Sequence, residues 1–133
     1  MSSLITATAA VATGAVAGAI TRWGLAVALN GLFPALPPGT LLVNVAGGYL
    51  MGLALGAFAA NPGLPPEWRL LLVTGFLGSL TTFSTFSGEV IHLLQQGRTG
   101  WALATIGAHL VGALVATFAG LVTWQLLAAR GGG

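Results

Sequence analysis

The sequence predicts an all-α membrane protein: one domain of four transmembrane helices, the third of them broken. Three observations carry that prediction. Of 133 residues, 56% are hydrophobic and only 5% charged, against roughly a quarter charged in a soluble domain, and the mean hydropathy is +0.94. The four basic and two acidic residues leave long uncharged runs at 1–21, 23–66, 70–88 and 99–129, on the scale of the roughly 20 apolar residues that cross a bilayer. Trp23, Trp68, Trp101 and Trp124 fall near the ends of the proposed spans, where amphipathic rings favour the headgroup level.

Taken in order, the helices are expected at about 4–29, 40–60, 68–96 and 100–128. The first segment lacks the basic start of a secretory signal and its apolar stretch runs too long, so it reads as a span. The run from 23 to 66 exceeds one crossing. Asn30-Gly31 with Pro34, Pro37, Pro38 and Gly39 divides it. NPGLPPE at 61–67 and QGRTG at 96–100 supply the other two connections. No internal repeat is evident.

Composition also excludes. With no cysteine there are no disulfides or thiolate metal sites. A formal charge of +2 is too small and dispersed for a nucleic-acid footprint. No nucleophile–base pair, metal cluster or phosphate loop points to an enzyme. Basic residues in short loops set topology, and here they nearly balance: Arg69 and Arg130 on one side, Arg98 and at most Arg22 on the other. A chain with so little bias inserts both ways round, so dual topology and an antiparallel homodimer are expected.

Polar residues recur along stripes. In the first helix Gly14, Gly18 and Arg22 are four apart. They read either as a close-packing face ending in an interfacial arginine or as one that places Arg22 as an attractor near an anion vestibule. In the second helix Thr40, Asn44, Gly48, Gly52 and Gly56 share one stripe. An unsatisfied amide in hydrocarbon is expensive, so Asn44 reads equally as an interhelical glue or as a donor to a dehydrated anion. In the third helix Gly75, Gly78, Ser79, Thr81 and Thr82 weaken helix continuity, and a broken membrane helix offers carbonyls that suit a hard cation such as Na⁺. Phe83 and Phe86, i and i+3, read first as packing, although a phenyl edge carries partial positive charge. Thr82, Thr85 and Glu89 line an adjacent polar track, with His92 one turn beyond Glu89 and able to pair with it. In the fourth helix Thr105 and His109 are four apart, above Gly112 and Ala113, and polar groups within a span point to a pathway.

These segments match a known family. GAVAGAITRWG, GTLLVNVAGGYLMG and GFLGSLTTFSTFSGEV resemble, in order and spacing, the three signature segments of the Fluc (CrcB-type) fluoride channels, over essentially the whole chain. The resemblance implies a passive, fluoride-selective channel of the bacterial inner membrane, embedded in lipid as an antiparallel homodimer with two pores. It implies that Phe83 and Phe86 present ring edges to the ion, that Asn44 is the amide donor, and that Gly78 and Thr81 offer backbone carbonyls to a central Na⁺. Thr40, Ser84, Thr85, Glu89, Thr105 and His109 are the implied polar route and Arg22 the vestibule residue. Three departures stand out: Ser79 where the family commonly has glycine, Gly48-Tyr49 where Ser-Phe is frequent, and Ala113, which puts the polar track of the last helix in question. A small multidrug transporter, also four-span and dual-topology, would need an acid in its first helix, and the first 66 residues contain none. A purely packing accessory subunit leaves the embedded polar groups without a purpose.

Overall fold

The computed structural model describes residues 2–132, and no strand occurs among them. Four helical segments are long and apolar enough to cross a membrane, so the chain is a multi-pass membrane protein. The first helix spans Ser2–Leu29 and closes in a 3-10 turn, Asn30–Leu32. The second is Pro38–Ala60 and the fourth Thr99–Gly131. Pro38 and Pro66 begin the second and third spans two residues ahead of the expected bounds, because proline's fixed φ and missing N–H suit the first helical turn. The third span ends in a Schellman turn. Gly97 takes φ 73°, its N–H bonds Leu94 O at 3.0 Å, and Arg98 N–H reaches back to Leu93 O at 2.8 Å.

Inside the third span the backbone changes character four times. An α-turn at Pro66–Arg69 passes into π-helix over Leu70–Leu77, then into a short α-turn, Gly78–Leu80. The widened turns bring Gly78 N–H to Val73 O, five residues back. Thr81 (φ −83°, ψ 158°) and Thr82 (φ −150°, ψ 112°) are then extended, and α-helix resumes at Phe83–Gln95.

Glycine lets the helices approach to backbone contact. A Cβ at Gly52 would lie 2.6 Å from Leu121 N and 2.9 Å from Gly120 Cα of the fourth helix. One at Gly14 would lie 2.7 Å from Phe76 N in the π-helical stretch. The glycine stripes of the first and second helices are thus spent within the chain, as small residues are at membrane helix crossings. Two apolar clusters result. Val43, Leu77 and Leu80 pack with Leu25, Met51 and Phe76, and Phe86, Val90, Leu93 and Ala102 pack with Ile106. The extended Thr81–Thr82 pair lies, in sequence, between the residues that the third span gives to each. Leu103, Leu110, Leu114 and Phe118 of the fourth helix remain exposed.

Candidate functional site

Thr81 N–H still bonds Leu77 O at 3.1 Å, but the extended backbone takes Thr82 out of the helical hydrogen-bond pattern, and buried backbone groups must find other partners. Asn44 of the second helix supplies them. Its Oδ1 accepts from Thr82 N at 2.8 Å and its Nδ2 donates to Thr82 O at 3.0 Å, so one side-chain amide pairs with one residue's backbone as a neighbouring strand would. Thr82 then caps the helix that follows, its Oγ1 accepting from Thr85 N at 3.1 Å. In a continuous helix Thr82 N–H would bond Gly78 O and Thr85 N–H would bond Thr81 O. Both donors are committed elsewhere, which releases the carbonyls of Gly78 and Thr81 from those partners.

The same amide orients His109. Because Thr82 fixes which end of the Asn44 amide is nitrogen, Nδ2 also donates to His109 Nδ1, 3.0 Å away. A neutral ring therefore carries its proton on Nε2, and that atom is buried without a hydrogen-bond partner. His109 is 3% exposed and lies against Phe86, ring centroids 4.6 Å apart and planes tilted 32°. Phe86 meets Phe83 edge-on at 5.5 Å and 68°, yet only Phe86 is buried, at 6% against 72% exposed for Phe83. A cavity of about 340 Å³ brings these groups together: Asn44, Gly78, Thr81, Thr82, Phe83, Phe86 and His109 all line it. Phe83 also borders a second, more open cavity with Ser84, Ser87, His92 and Gln95.

Next along the third span, Glu89 Oε2 accepts from the Thr40 hydroxyl at 2.7 Å, while Oε1 is buried with no partner. Glu89 therefore turns to Thr40 and not to His92. Thr40, 3% exposed, is held in turn by Asn30, whose Oδ1 accepts from Thr40 N at 3.1 Å and whose Nδ2 donates to Thr40 Oγ1 at 3.2 Å. At the other end, Arg22 Nε donates to Ser79 O at 3.0 Å. The guanidinium thus sits on a carbonyl of the short turn that precedes the extended pair, where a cation complements the helix C-terminus.

Residues 9–121 match the model of a family described as CrcB-like protein, Camphor Resistance (CrcB). The chain belongs to this CrcB-like family. A protein of Tolumonas auensis named fluoride-specific ion channel FluC is 61% identical over 118 residues, covering 89% of this chain and 93% of that one. Proteins of the same name from Pseudomonas putida and Cupriavidus pinatubonensis are 58% identical over 121 residues and 59% over 119, covering 91% and 90% of this chain and 95% and 94% of theirs. The resemblance read from the three segments therefore holds.

Every candidate residue lies inside the family match, but the single chain does not gather them all. Ser84 and Thr85 are exposed, and Thr105 is 0% exposed with its hydroxyl donating to Trp101 O at 2.8 Å. Asn30 entered the sequence reading only as a helix breaker. Its polar partner, ten residues on, has no local periodic signature.

Proposed function

We propose that this chain is a fluoride channel that passively exports F⁻, working as an antiparallel, dual-topology homodimer with two pores and a structural Na⁺ at its axis. The observation that carries the reading is the cavity lined together by Phe83, Phe86, Asn44 and His109, in a chain whose close relatives bear the name fluoride-specific ion channel. Fluoride is small and strongly hydrated, so selecting it means exchanging its water for closely fitted donors. His109 Nε2–H and the ring edges of Phe83 and Phe86 are the donors offered here, since both protons of the Asn44 amide already have partners. Phenyl edges bind an anion weakly, and a row of weak contacts lets the ion leave as readily as it enters. Thr40, Ser84, Thr85, Glu89 and Thr105 extend the polar route on either side. An inside-negative potential drives the anion outward with about 2.3 kcal/mol per charge per 100 mV.

The exposure of Phe83 supports a site completed by a second copy. Dual topology is supported by the near balance of basic residues in the loops; Arg22, seven residues or about 10 Å inside its helix end, lies too deep to count among them. Held there on Ser79, it adds nothing to loop charge, leaving Arg69 and Arg130 against Arg98. The Na⁺ would be held by the carbonyls of Gly78 and Thr81 from each copy. Uncharged oxygens freed from helical bonding suit a hard cation, whose role there would be to fix the two extended segments against each other.

The deciding experiment is anion efflux from liposomes bearing the purified protein. Fluoride should leave while chloride stays, and Phe83→Ile and Phe86→Ile should each abolish the fluoride current while the protein still assembles. Chloride flux equal to fluoride flux, or full fluoride flux in both variants, would sink the proposal.

A further inference from the structure

We infer that Asn30 is a positioning residue for the pathway: its amide commits the Thr40 hydroxyl proton to Glu89 Oε2 and so leaves Oε1 as the buried oxygen of that carboxyl without a partner. The inference rests on the channel reading above. Its logic is directional. A backbone N–H can only donate, so the Thr40 N–H, 3.1 Å from the Asn30 amide, fixes the oxygen end of that amide. The nitrogen end can only donate, so it occupies a lone pair of Thr40 Oγ1 at 3.2 Å. The one hydroxyl proton then has Glu89 Oε2 as its acceptor, at 2.7 Å.

Thr40 differs here from seven other threonines of the spans. Thr8, Thr13, Thr21, Thr81, Thr105, Thr117 and Thr123 each donate to the carbonyl four residues back. Thr40 stands in the first turn of its helix, where the residue four back, Leu36, precedes the helix, so its proton is not drawn into the backbone. The approach is close enough to require Gly39. A Cβ there would lie 2.6 Å from both Asn30 Oδ1 and Leu25 O, so any side chain at that position would displace Asn30 from Thr40.

The test is a double-mutant cycle on the full chain in liposomes, with Asn30→Ala, Thr40→Val and the pair. Each single change should slow initial fluoride efflux about tenfold, equivalent to about 1.4 kcal/mol, and the double variant should be no slower than Thr40→Val alone. Thr40→Ser, which keeps the hydroxyl, should slow efflux less than Thr40→Val. Wild-type efflux in Asn30→Ala, or a double variant slowed by the product of the two single effects, overturns the relay. Asn30→Ser serves in the same comparison if the alanine variant does not assemble. Isotope-edited infrared spectroscopy of the Glu89 carboxyl gives a readout free of transport. Its band should move alike in Asn30→Ala and Thr40→Val, and an unmoved band in Asn30→Ala also overturns the inference. If wild-type protein carries no fluoride, the channel reading fails while the infrared comparison still decides the relay.

Discussion

Asn44→Ala tests whether one amide holds the extended pair in place. The substitution removes three hydrogen bonds at once, those to Thr82 N, Thr82 O and His109 Nδ1. Side-chain bonds within membrane bundles average about 0.6 kcal/mol each, which sets a floor near 2 kcal/mol if every abandoned group finds a new partner. The Thr82 N–H and C=O are backbone groups, and leaving each unpaired costs roughly 1–3 kcal/mol. The adjacent cavity of about 340 Å³ can admit water to part of this deficit, so the expected loss is about 2–4 kcal/mol. Resistance to unfolding in a graded series of SDS–detergent mixtures measures it. Asn44→Asp is the informative partner, because a carboxylate still accepts from Thr82 N–H but donates to neither Thr82 O nor His109 Nδ1. It should fall between wild type and alanine. An alanine variant within about 0.5 kcal/mol of wild type, the range of ordinary surface changes, would refute the claim that this amide stabilises the irregular backbone.

Three further outcomes follow from the geometry. Gly52→Ala places a methyl against the backbone of Thr117 and Leu121, which cannot rotate away, and should destabilise by about 1–3 kcal/mol in the same assay. Gly88→Ala, inside the Phe83–Gln95 helix with nothing within 4 Å, should not destabilise and should gain up to about 1 kcal/mol from helix propensity. Arg22→Leu abandons the Ser79 carbonyl and should lose about 1–3 kcal/mol. Arg22→Lys, which keeps a donor, should recover part of it, and equal stability of both variants would leave Arg22 with no capping role. Thr82→Val removes the cap on Thr85 N–H and should lower stability by about 1 kcal/mol, with Thr82→Ser indistinguishable from wild type by thermal unfolding.

Much of the architecture is legible in one sequence because a bilayer constrains it so strongly. The uncharged runs, the proline-containing breaks at 30–39 and 61–67, and the QGRTG turn are local signals, and each acts within a few residues. The prolines mark the breaks, however, and not the helix starts two residues ahead of the expected bounds. Thr82 reads in sequence as weakening the helix and as part of a polar track, and its capping of Thr85 N–H emerges only once the extended backbone before it is known. What was not legible depends on pairs distant in sequence. Asn44 could be seen as a costly buried amide, but its partners lie 38 and 65 positions away, and nothing in its own helix distinguishes a backbone pairing from a contact with an ion. The π-helical stretch at Leu70–Leu77 was equally hidden, since LLLVTGFL suits an ordinary α-helix and its wider turns accompany packing against the first and second helices. Arg22 was ambiguous for the same reason. Its hydrogen-bond partner, Ser79, lies 57 residues along the chain.

Two extended residues between helical segments would make a swivel in an unsupported span. Here the swivel is pinned from three directions, by Asn44 on Thr82, by Arg22 on Ser79 and by the Thr82–Thr85 cap. In the proposed channel, a wall built on such a joint would be held by these bonds before an ion enters. An entering ion that sheds its water would then meet a surface already set, with little reorganisation to subtract from its affinity.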